Sequence, residues 1–198
     1  VTGNTRRYSS SLEKIIKVVD PRQGEIMFGL NLIVNRGKTI FLCDTSVIEY
    51  PDAKQLAEMA KSAARVVRLF GFDPKIAFLS HSTFGEPATD RTKRLSDAVE
   101  ILKKDNVDFK FDGEMQPDVA LDEVYKELYP FSEIVGSSNV LIMPSQHSAA
   151  ISYKMIKSMS RAKVIGPLLV GLGQPIEIAP LRSSTSDIIN LASIAAYS

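Results

Sequence analysis

The sequence predicts an α/β protein whose mainly parallel sheet is flanked by helices. Short apolar runs of strand length alternate with amphipathic segments of helical period along most of the 198 residues. Polar loops follow several of these runs, and no internal repeat or low-complexity tract interrupts the order. Alternating strands and helices form parallel sheets with right-handed crossovers, so ligands are expected beyond the carboxyl ends of strands. The loops after Leu79, Met143 and Leu172 lie at such ends.

The N-terminal quarter of the chain predicts one helix and one antiparallel hairpin. Serines in SSSLEKIIKVV, residues 9–19, are placed to cap a short helix, and Arg6 and Arg7 precede its first turn. The runs at 24–34 and 38–48 resemble strands, and the Asn-Arg-Gly segment between them has the composition of a hairpin turn.

A well-defined helix follows, with Asp52 as its N-cap and Gly71 as its C-terminal stop. Beyond this helix the same alternation continues to the end of the chain. It predicts strands at 75–80, 109–111, 139–144, 163–166 and 168–172, and helices around 95–102, 119–128, 148–159 and after Ser184.

The bulk composition is that of an ordinary folded protein, with 44% hydrophobic and 24% charged residues and a net charge of +1. That balance gives no indication of nucleic-acid binding, and no apolar run approaches the roughly 18 residues of a membrane span. Cys43 has no disulfide partner in the chain, so we expect a reducing cytoplasm and an inert, buried thiol. The start lacks a methionine and a signal sequence, from which we expect a piece of a longer polypeptide.

A polar loop after the strand at 75–80 is the first candidate ligand site. Ser82, Thr83 and Gly85 give it small hydroxyl groups and a glycine, a composition that can present backbone N–H groups to an anion such as phosphate. The pattern is not a phosphate-binding loop of the GxxxxGK[ST] type. A capped polar turn explains the loop equally well.

Acidic and metal-ligating residues give weaker indications. Asp112, Glu114 and Asp118 could act as acid–base groups, although Asp118 also suits the dipole of a helix N-terminus. His81 and His147 are the only histidines, and neither has metal-ligand spacing, so we expect no metal site. Lys154 could reach a phosphate or belong to a solvated helix face, and no cationic neighbour activates Cys43.

The C-terminal stretch PLRSSTSDIIN is the second candidate site. Ser184 and Asp187 have the spacing of a capping box at the start of the last helix. Alternatively, Arg182 and the neighbouring hydroxyl groups contact a phosphate or thioester at the helix N-terminus, with Asp187 as a base or as an orienting group.

Several segments, taken in order, resemble the phosphotransacetylase family along nearly the whole chain. They are HSTFG, DGEMQPDVAL, SNVLIMPSQHSAAISYK, VIGPLLVGLGQP and SSTSDIINLASIAA. The resemblance implies a dimeric, isocitrate/isopropylmalate dehydrogenase-like architecture of two α/β subdomains, truncated at its N-terminus. It assigns residues 1–45 and 176–198 to subdomain I and residues 46–175 to subdomain II.

Within that family, VTGNTRRYSSSLEKI and LVGLGQPIEIAPLRSSTSDIINLASIAAY are most similar to the C-terminal domain of bacterial NADP-dependent malic enzymes. This resemblance implies a cytoplasmic regulatory domain that binds acetyl-CoA or CoA as an allosteric effector. It also implies that the domain dimerises within a larger homo-oligomer. NADP and a divalent metal would then serve only the malic-enzyme region, outside this segment.

The resemblance also indicates that the transfer chemistry is lost. The family's arginine six residues before Asp187 is replaced by Leu181, a second arginine falls at Glu13, and the family's cysteine falls at Thr45. Loss of a cation that stabilises transition-state charge costs several kcal/mol. The runner-up hypotheses are a working phosphate acetyltransferase, with Arg182 in place of the lost arginine, and a structural dimerisation module.

The ligand site implied by the resemblance has a cationic entrance and a hydroxyl-rich pocket. We expect exposed Arg6, Arg7 and Tyr8 to take the phosphates and adenine of CoA. A solvated surface explains each of the two arginines equally well. The further ligand-binding residues we expect are Ser82, Thr83, Gly85, Gly166, Arg182, Ser183, Ser184, Asp187 and Asn190.

Overall fold

The computed structural model describes residues 1–197, without the side chain of Lys126. Within these residues the chain forms eight strands and seven helices. The strands are β1 Thr2–Gly3, β2 Phe28–Asn35, β3 Lys38–Cys43, β4 Lys75–Leu79, β5 Lys110–Met115, β6 Val140–Ile142, β7 Lys163–Val170 and β8 Ile178–Ala179. The helices are α1 Tyr8–Ile16, α2 Ala53–Leu69, α3 Asp90–Lys104, α4 Pro117–Leu121, α5 Glu123–Lys126, α6 Gln146–Met159 and α7 Thr185–Tyr197.

Six of the strands form one sheet in the order β5-β4-β6-β3-β2-β7. Only β2 runs against the other five strands, because it pairs antiparallel with both β3 and β7. The predicted hairpin is confirmed, with Asn35 opposite Lys38 at its turn. The mainly parallel sheet predicted from the alternation of elements is therefore confirmed as well.

Helices cover both faces of this sheet. On one face α2 and α3 pack over a core that includes Phe28, Phe41 and Phe78, each fully buried. On the other face α4 and α6 cover a smaller core around Met115 and Leu141. The helix predicted after Asp52 is confirmed, since Asp52 accepts the N–H of Gln55 in a capping box.

Three local predictions were wrong. The helix predicted over 119–128 is two short helices, because Asp122 has an extended backbone and caps α5 through the N–H of Val124. The serines at 9–11 do not cap α1, whose N-cap residue is Arg7 with no side-chain hydrogen bond. The runs at 163–166 and 168–172 are largely one strand, β7, which continues through Gly166.

A second, two-stranded parallel sheet joins the beginning of the chain to its end. Thr2 of β1 pairs with Ile178 of β8, and the N–H of Asn4 donates to the carbonyl oxygen of Ala179 at 2.8 Å. Gly3 has a φ of +106°, and a Cβ there would collide with that carbonyl oxygen. Glycine is therefore required for the close approach of the two strands.

The six-stranded sheet draws strands from both sides of the predicted boundary at residue 45, and the subdomain limits 1–45 with 176–198 and 46–175 stay a prediction. Nowhere in residues 1–197 is a helix long and apolar enough to cross a membrane.

We predict that Gly3→Ala lowers the free energy of unfolding by about 2 kcal/mol or more, because the new Cβ meets backbone and φ is positive. Denaturant unfolding measures the effect. Gly24→Ala is the matched control: its φ is also positive, at +78°, but nothing lies within 4 Å of its Cβ position. The control should lose only about 1 kcal/mol. Equal losses would contradict the steric account.

Candidate ligand-binding site

The two-stranded parallel sheet determines where the arginines of the chain termini lie. Parallel strands end at the same edge, so the segments that leave β1 and β8 emerge side by side. Arg6 and Arg7 lie on the first segment, before α1, and Arg182 lies on the second, before α7. All three side chains are exposed, and none forms an ion pair with another described residue. The edge therefore carries three exposed arginine side chains, none of which forms a close ion pair.

The N-terminus of α1 adds to this positive edge, since Arg7 supplies no capping hydrogen bond and the first turn contains no acidic residue. The N-terminus of α7 is different, because the predicted capping box is formed. The hydroxyl of Ser184 donates to Asp187 Oδ2 at 2.7 Å, and the N–H of Asp187 donates to Ser184 Oγ at 3.2 Å.

The role of Asp187 follows from this cap. Hydrogen bonds from the Ser184 side chain and backbone, with smaller contributions from Lys157 and Lys163, hold the pKa of Asp187 below its usual range. A carboxylate with a lowered pKa is a weak proton acceptor. Asp187 is therefore suited to a structural cap and not to general-base catalysis.

A small cavity of about 80 Å³ lies between this helix start and β7. Its lining includes four residues that were expected at the ligand site, namely Gly166, Arg182, Ser183 and Asp187. Gly166 has a φ of +116° and approaches the Leu30 carbonyl so closely that a Cβ would lie 2.8 Å from its oxygen. The same lining contains Lys157, a cation that sequence reasoning missed and that lies on α6, three residues after Lys154.

Leu181 also lines this cavity, with 52% of its surface exposed. An apolar side chain thus occupies the position at which the resemblance implies an arginine. Glu13, at the other arginine position, is exposed on α1, and Thr45 is buried and donates its hydroxyl to Asn31 Oδ1 at 2.6 Å.

Two expected ligand residues are placed differently from the expectation. Tyr8 is half-buried, and its hydroxyl lies 3.3 Å from Ser46 Oγ, so its ring is not an exposed platform. Burial raises the pKa of Tyr8, which keeps the phenol neutral. Asn190 does not belong to the lining of the small cavity, and its buried amide nitrogen has no hydrogen-bond partner among the described residues.

The loop that contains Ser82, Thr83 and Gly85 is folded around an internal anion. The carboxylate of Glu114 accepts the hydroxyl of Ser82 at 3.1 Å and the N–H of Gly85 at 2.7 Å on one oxygen, and the hydroxyl of Ser96 at 2.5 Å on the other. Thr83 accepts the N–H of Gln116 at 3.2 Å. The hydrogen-bond donors of this loop are therefore used within the protein and not offered to a ligand. The sequence did not predict that Glu114 would be their acceptor.

Most of the remaining candidate residues have structural partners. Asp112 accepts the N–H groups of Gly113 and Glu133, and Asp118 accepts that of Val119 in the first turn of α4. His147 lies 3.0 Å from Glu49, and Lys154 lies over the ring of Tyr153. His81 is exposed. Cys43 is buried, and burial raises the pKa of its thiol. Within the described part of the chain, no three His, Cys, Asp or Glu side chains could hold a metal ion together.

A second and much larger cavity, of about 840 Å³, lies between α2, β7 and the C-terminal half of α7. Its lining includes Glu177, which is only 4% exposed. Sequence reasoning missed this residue, although a single carboxylate within the apolar run PIEIAP was a signal for it.

The sequence and fold of this chain belong to a known class of protein. The family model for phosphate acetyl/butaryl transferase matches residues 1–196, so the chain belongs to that family. It is 45% identical to an NADP-dependent malic enzyme of Rhizobium meliloti, over 100% of this chain and 26% of that protein. It is 30% identical to the phosphate acetyltransferase of Bacillus subtilis, over 99% of this chain and 61% of that protein.

A solved structure agrees with these relatives. A phosphotransacetylase from Streptococcus pyogenes superimposes with a TM-score of 0.93 at 29% sequence identity, covering 98% of this chain and 60% of that one. The chain thus spans about a quarter of the malic enzyme and three fifths of the acetyltransferases that it resembles.

We predict that Glu114→Ala destabilises the fold by about 3 kcal/mol or more, because three donors around a buried carboxylate lose their acceptor. Glu114→Gln should cost about a third as much, since its amide can accept from Gly85 and donate to Ser96. Urea unfolding of both variants tests this prediction, and similar losses for alanine and glutamine would contradict it.

Proposed function

We propose that the chain is an acetyl-CoA-binding regulatory domain of an NADP-dependent malic enzyme and that it does not transfer the acetyl group. The observation that carries this proposal is Leu181, an exposed leucine at the position of the family's arginine, in a cavity that keeps Arg182 and Lys157. Cations that attract the ligand are present, whereas the side chain expected to stabilise the reacting oxygens is apolar.

Transfer chemistry requires more than attraction. Negative charge develops on the phosphate and thioester oxygens in the transition state, and a leucine can neither donate a hydrogen bond nor neutralise that charge. Asp187 is held in a helix cap with a lowered pKa, which makes it a weak base. Both features favour a site that binds its ligand without turnover.

Binding itself is supported by the cationic edge. Arg6, Arg7 and Arg182 emerge at one end of the two-stranded sheet, beside the uncapped N-terminus of α1. CoA carries several phosphate charges, and arginine guanidinium groups pair with phosphates through bidentate hydrogen bonds. We therefore place the phosphates of CoA at this edge and its acyl end towards Gly166 and Ser183.

The regulatory part of the proposal concerns the longer polypeptide. Oxidative decarboxylation of malate, with NADP and a divalent metal, would take place in another region. An effector that binds two conformations or assembly states with different affinity shifts the equilibrium between them. We propose a homodimer through this domain, a larger homo-oligomer of the parent and a cytoplasmic location.

Two other functions are each favoured by a particular observation. A working acetyltransferase is favoured by Arg182, which lies one residue after the lost position and lines the same cavity. A purely structural dimerisation module is favoured by the apolar residues Ile151, Met155 and Met159, which are exposed along α6. The first alternative requires acetyl-CoA formation from acetyl phosphate and CoA, and the second requires that no CoA compound binds.

We predict that Arg182→Ala in the full natural polypeptide weakens acetyl-CoA binding at least tenfold, or about 1.4 kcal/mol, because a phosphate partner is lost. Isothermal titration calorimetry measures the affinity. Arg36→Ala is the matched control, since Arg36 is an exposed arginine in the turn between β2 and β3, and it should leave the affinity unchanged.

The same samples should form no acetyl-CoA from acetyl phosphate and CoA above the background of a blank. Acetyl-CoA formation by the unmodified protein would decide for the acetyltransferase. An absence of saturable binding would decide for the structural module.

A further inference from the structure

The large cavity is a second potential ligand site, separate from the proposed acetyl-CoA site. It is a partly open cavity of about 840 Å³, within the range of pockets that hold small molecules. No residue lines both this cavity and the small one, although α7 contributes to each.

Most of the cavity wall is apolar. Val66 of α2 and Phe70, which follows α2, line the cavity opposite Leu168 and Val170 of β7, and Leu172 and Ile194 add to its apolar lining. A wall of this composition favours a hydrocarbon group, because burying each methylene group is favourable.

The mouth of the cavity is positively charged. Arg22, Arg65 and Arg68 lie there with one carboxylate, Glu25. Arg65 pairs with Glu25 at 2.8 Å, and Arg68 pairs with Asp108 at 3.0 Å. The Arg22 side chain is 60% exposed and reaches only within 3.9 Å of Glu25, so its guanidinium group is available to an anion.

Glu177 is the buried ionisable group of this cavity. One carboxyl oxygen accepts the N–H of Leu169 at 3.0 Å, and the other has no partner among the described residues. Burial raises the pKa of Glu177 to about 8, while the Leu169 bond and the charge of the Val1 amino group oppose the rise. The other ionisable groups around it are Tyr8, Tyr197 and the arginines and Glu25 of the mouth.

We propose that this cavity binds an amphipathic carboxylate, with its alkyl chain between the apolar walls and its head group at Arg22, and that it binds only while Glu177 is protonated. An alkyl chain that displaces water from Glu177 removes the solvation that an ionised carboxylate needs. The ligand's own charge stays at the mouth, where the guanidinium groups neutralise it. At a pH at which Glu177 is ionised in the free protein, ligand binding is therefore accompanied by the uptake of one proton at Glu177.

The test is calorimetric titration of the full natural polypeptide with decanoate at pH 7 and pH 9. Because only the protonated form binds, affinity should be about tenfold weaker at pH 9, one unit above the pKa of Glu177. Octanoate should bind about tenfold more weakly than decanoate, because it lacks two methylene groups.

Three variants separate the parts of the proposal. Glu177→Gln keeps an acceptor for the Leu169 N–H but cannot ionise, so its affinity should equal the pH 7 value at both pH values. Arg22→Ala should weaken binding at least fivefold at both pH values and keep the pH dependence. Ser193→Trp, at an exposed position on the wall, should fill the cavity and abolish binding while circular dichroism stays unchanged.

Four results would overturn the proposal. The first is no saturable binding of decanoate, and the second is equal affinity at both pH values. The third is an unchanged pH dependence in Glu177→Gln, which would assign the proton to another group, and the fourth is undiminished binding in Ser193→Trp. Acetyl-CoA affinity is measured on the same samples. Because neither proposal depends on the other, a failure of decanoate binding can be told apart from a failure of acetyl-CoA binding.

Discussion

The parallel pairing of β1 with β8 is the constraint on which the candidate site depends. It joins residues 2–3 to residues 178–179, so the two ends of the chain leave one small sheet at the same edge. The arginines before α1 and the loop before α7 are brought together by this pairing and by no local feature of the sequence. Gly3 permits it, because a side chain there would collide with the partner strand.

The candidate site combines exposed cations with side chains that are poorly suited to acyl transfer. Three exposed arginines and the start of α1 supply positive charge, whereas Leu181 and the capped Asp187 supply neither a stabilising cation nor a good base. Helix α7 links this site to the larger cavity, because its first turns line one and its last turns line the other. A ligand in either cavity therefore contacts the same helix.

Much of the fold could be predicted from sequence because its causes are local. The hairpin, the capped α2 and the capping box of Ser184 and Asp187 each depend on residues a few positions apart. The site was less predictable because its causes are distant in sequence. Glu114 accepts hydrogen bonds from a loop about thirty residues before it in the sequence. Lys157 lines the small cavity from α6, and Glu177 is buried by the packing of segments distant in sequence. The break at Asp122 was missed because a cap in mid-pattern interrupts an otherwise helical period.

We propose that the candidate site senses acetyl-CoA without consuming it. The most direct measurement is malate-dependent NADPH formation by the full natural polypeptide across a range of acetyl-CoA concentrations, beside an Arg7→Ala variant, each normalised to its own rate without effector. We expect acetyl-CoA to inhibit the unmodified protein, and we expect the variant to require at least about tenfold more effector for the same inhibition. An NADPH rate that acetyl-CoA leaves unchanged in the unmodified protein would contradict the claim.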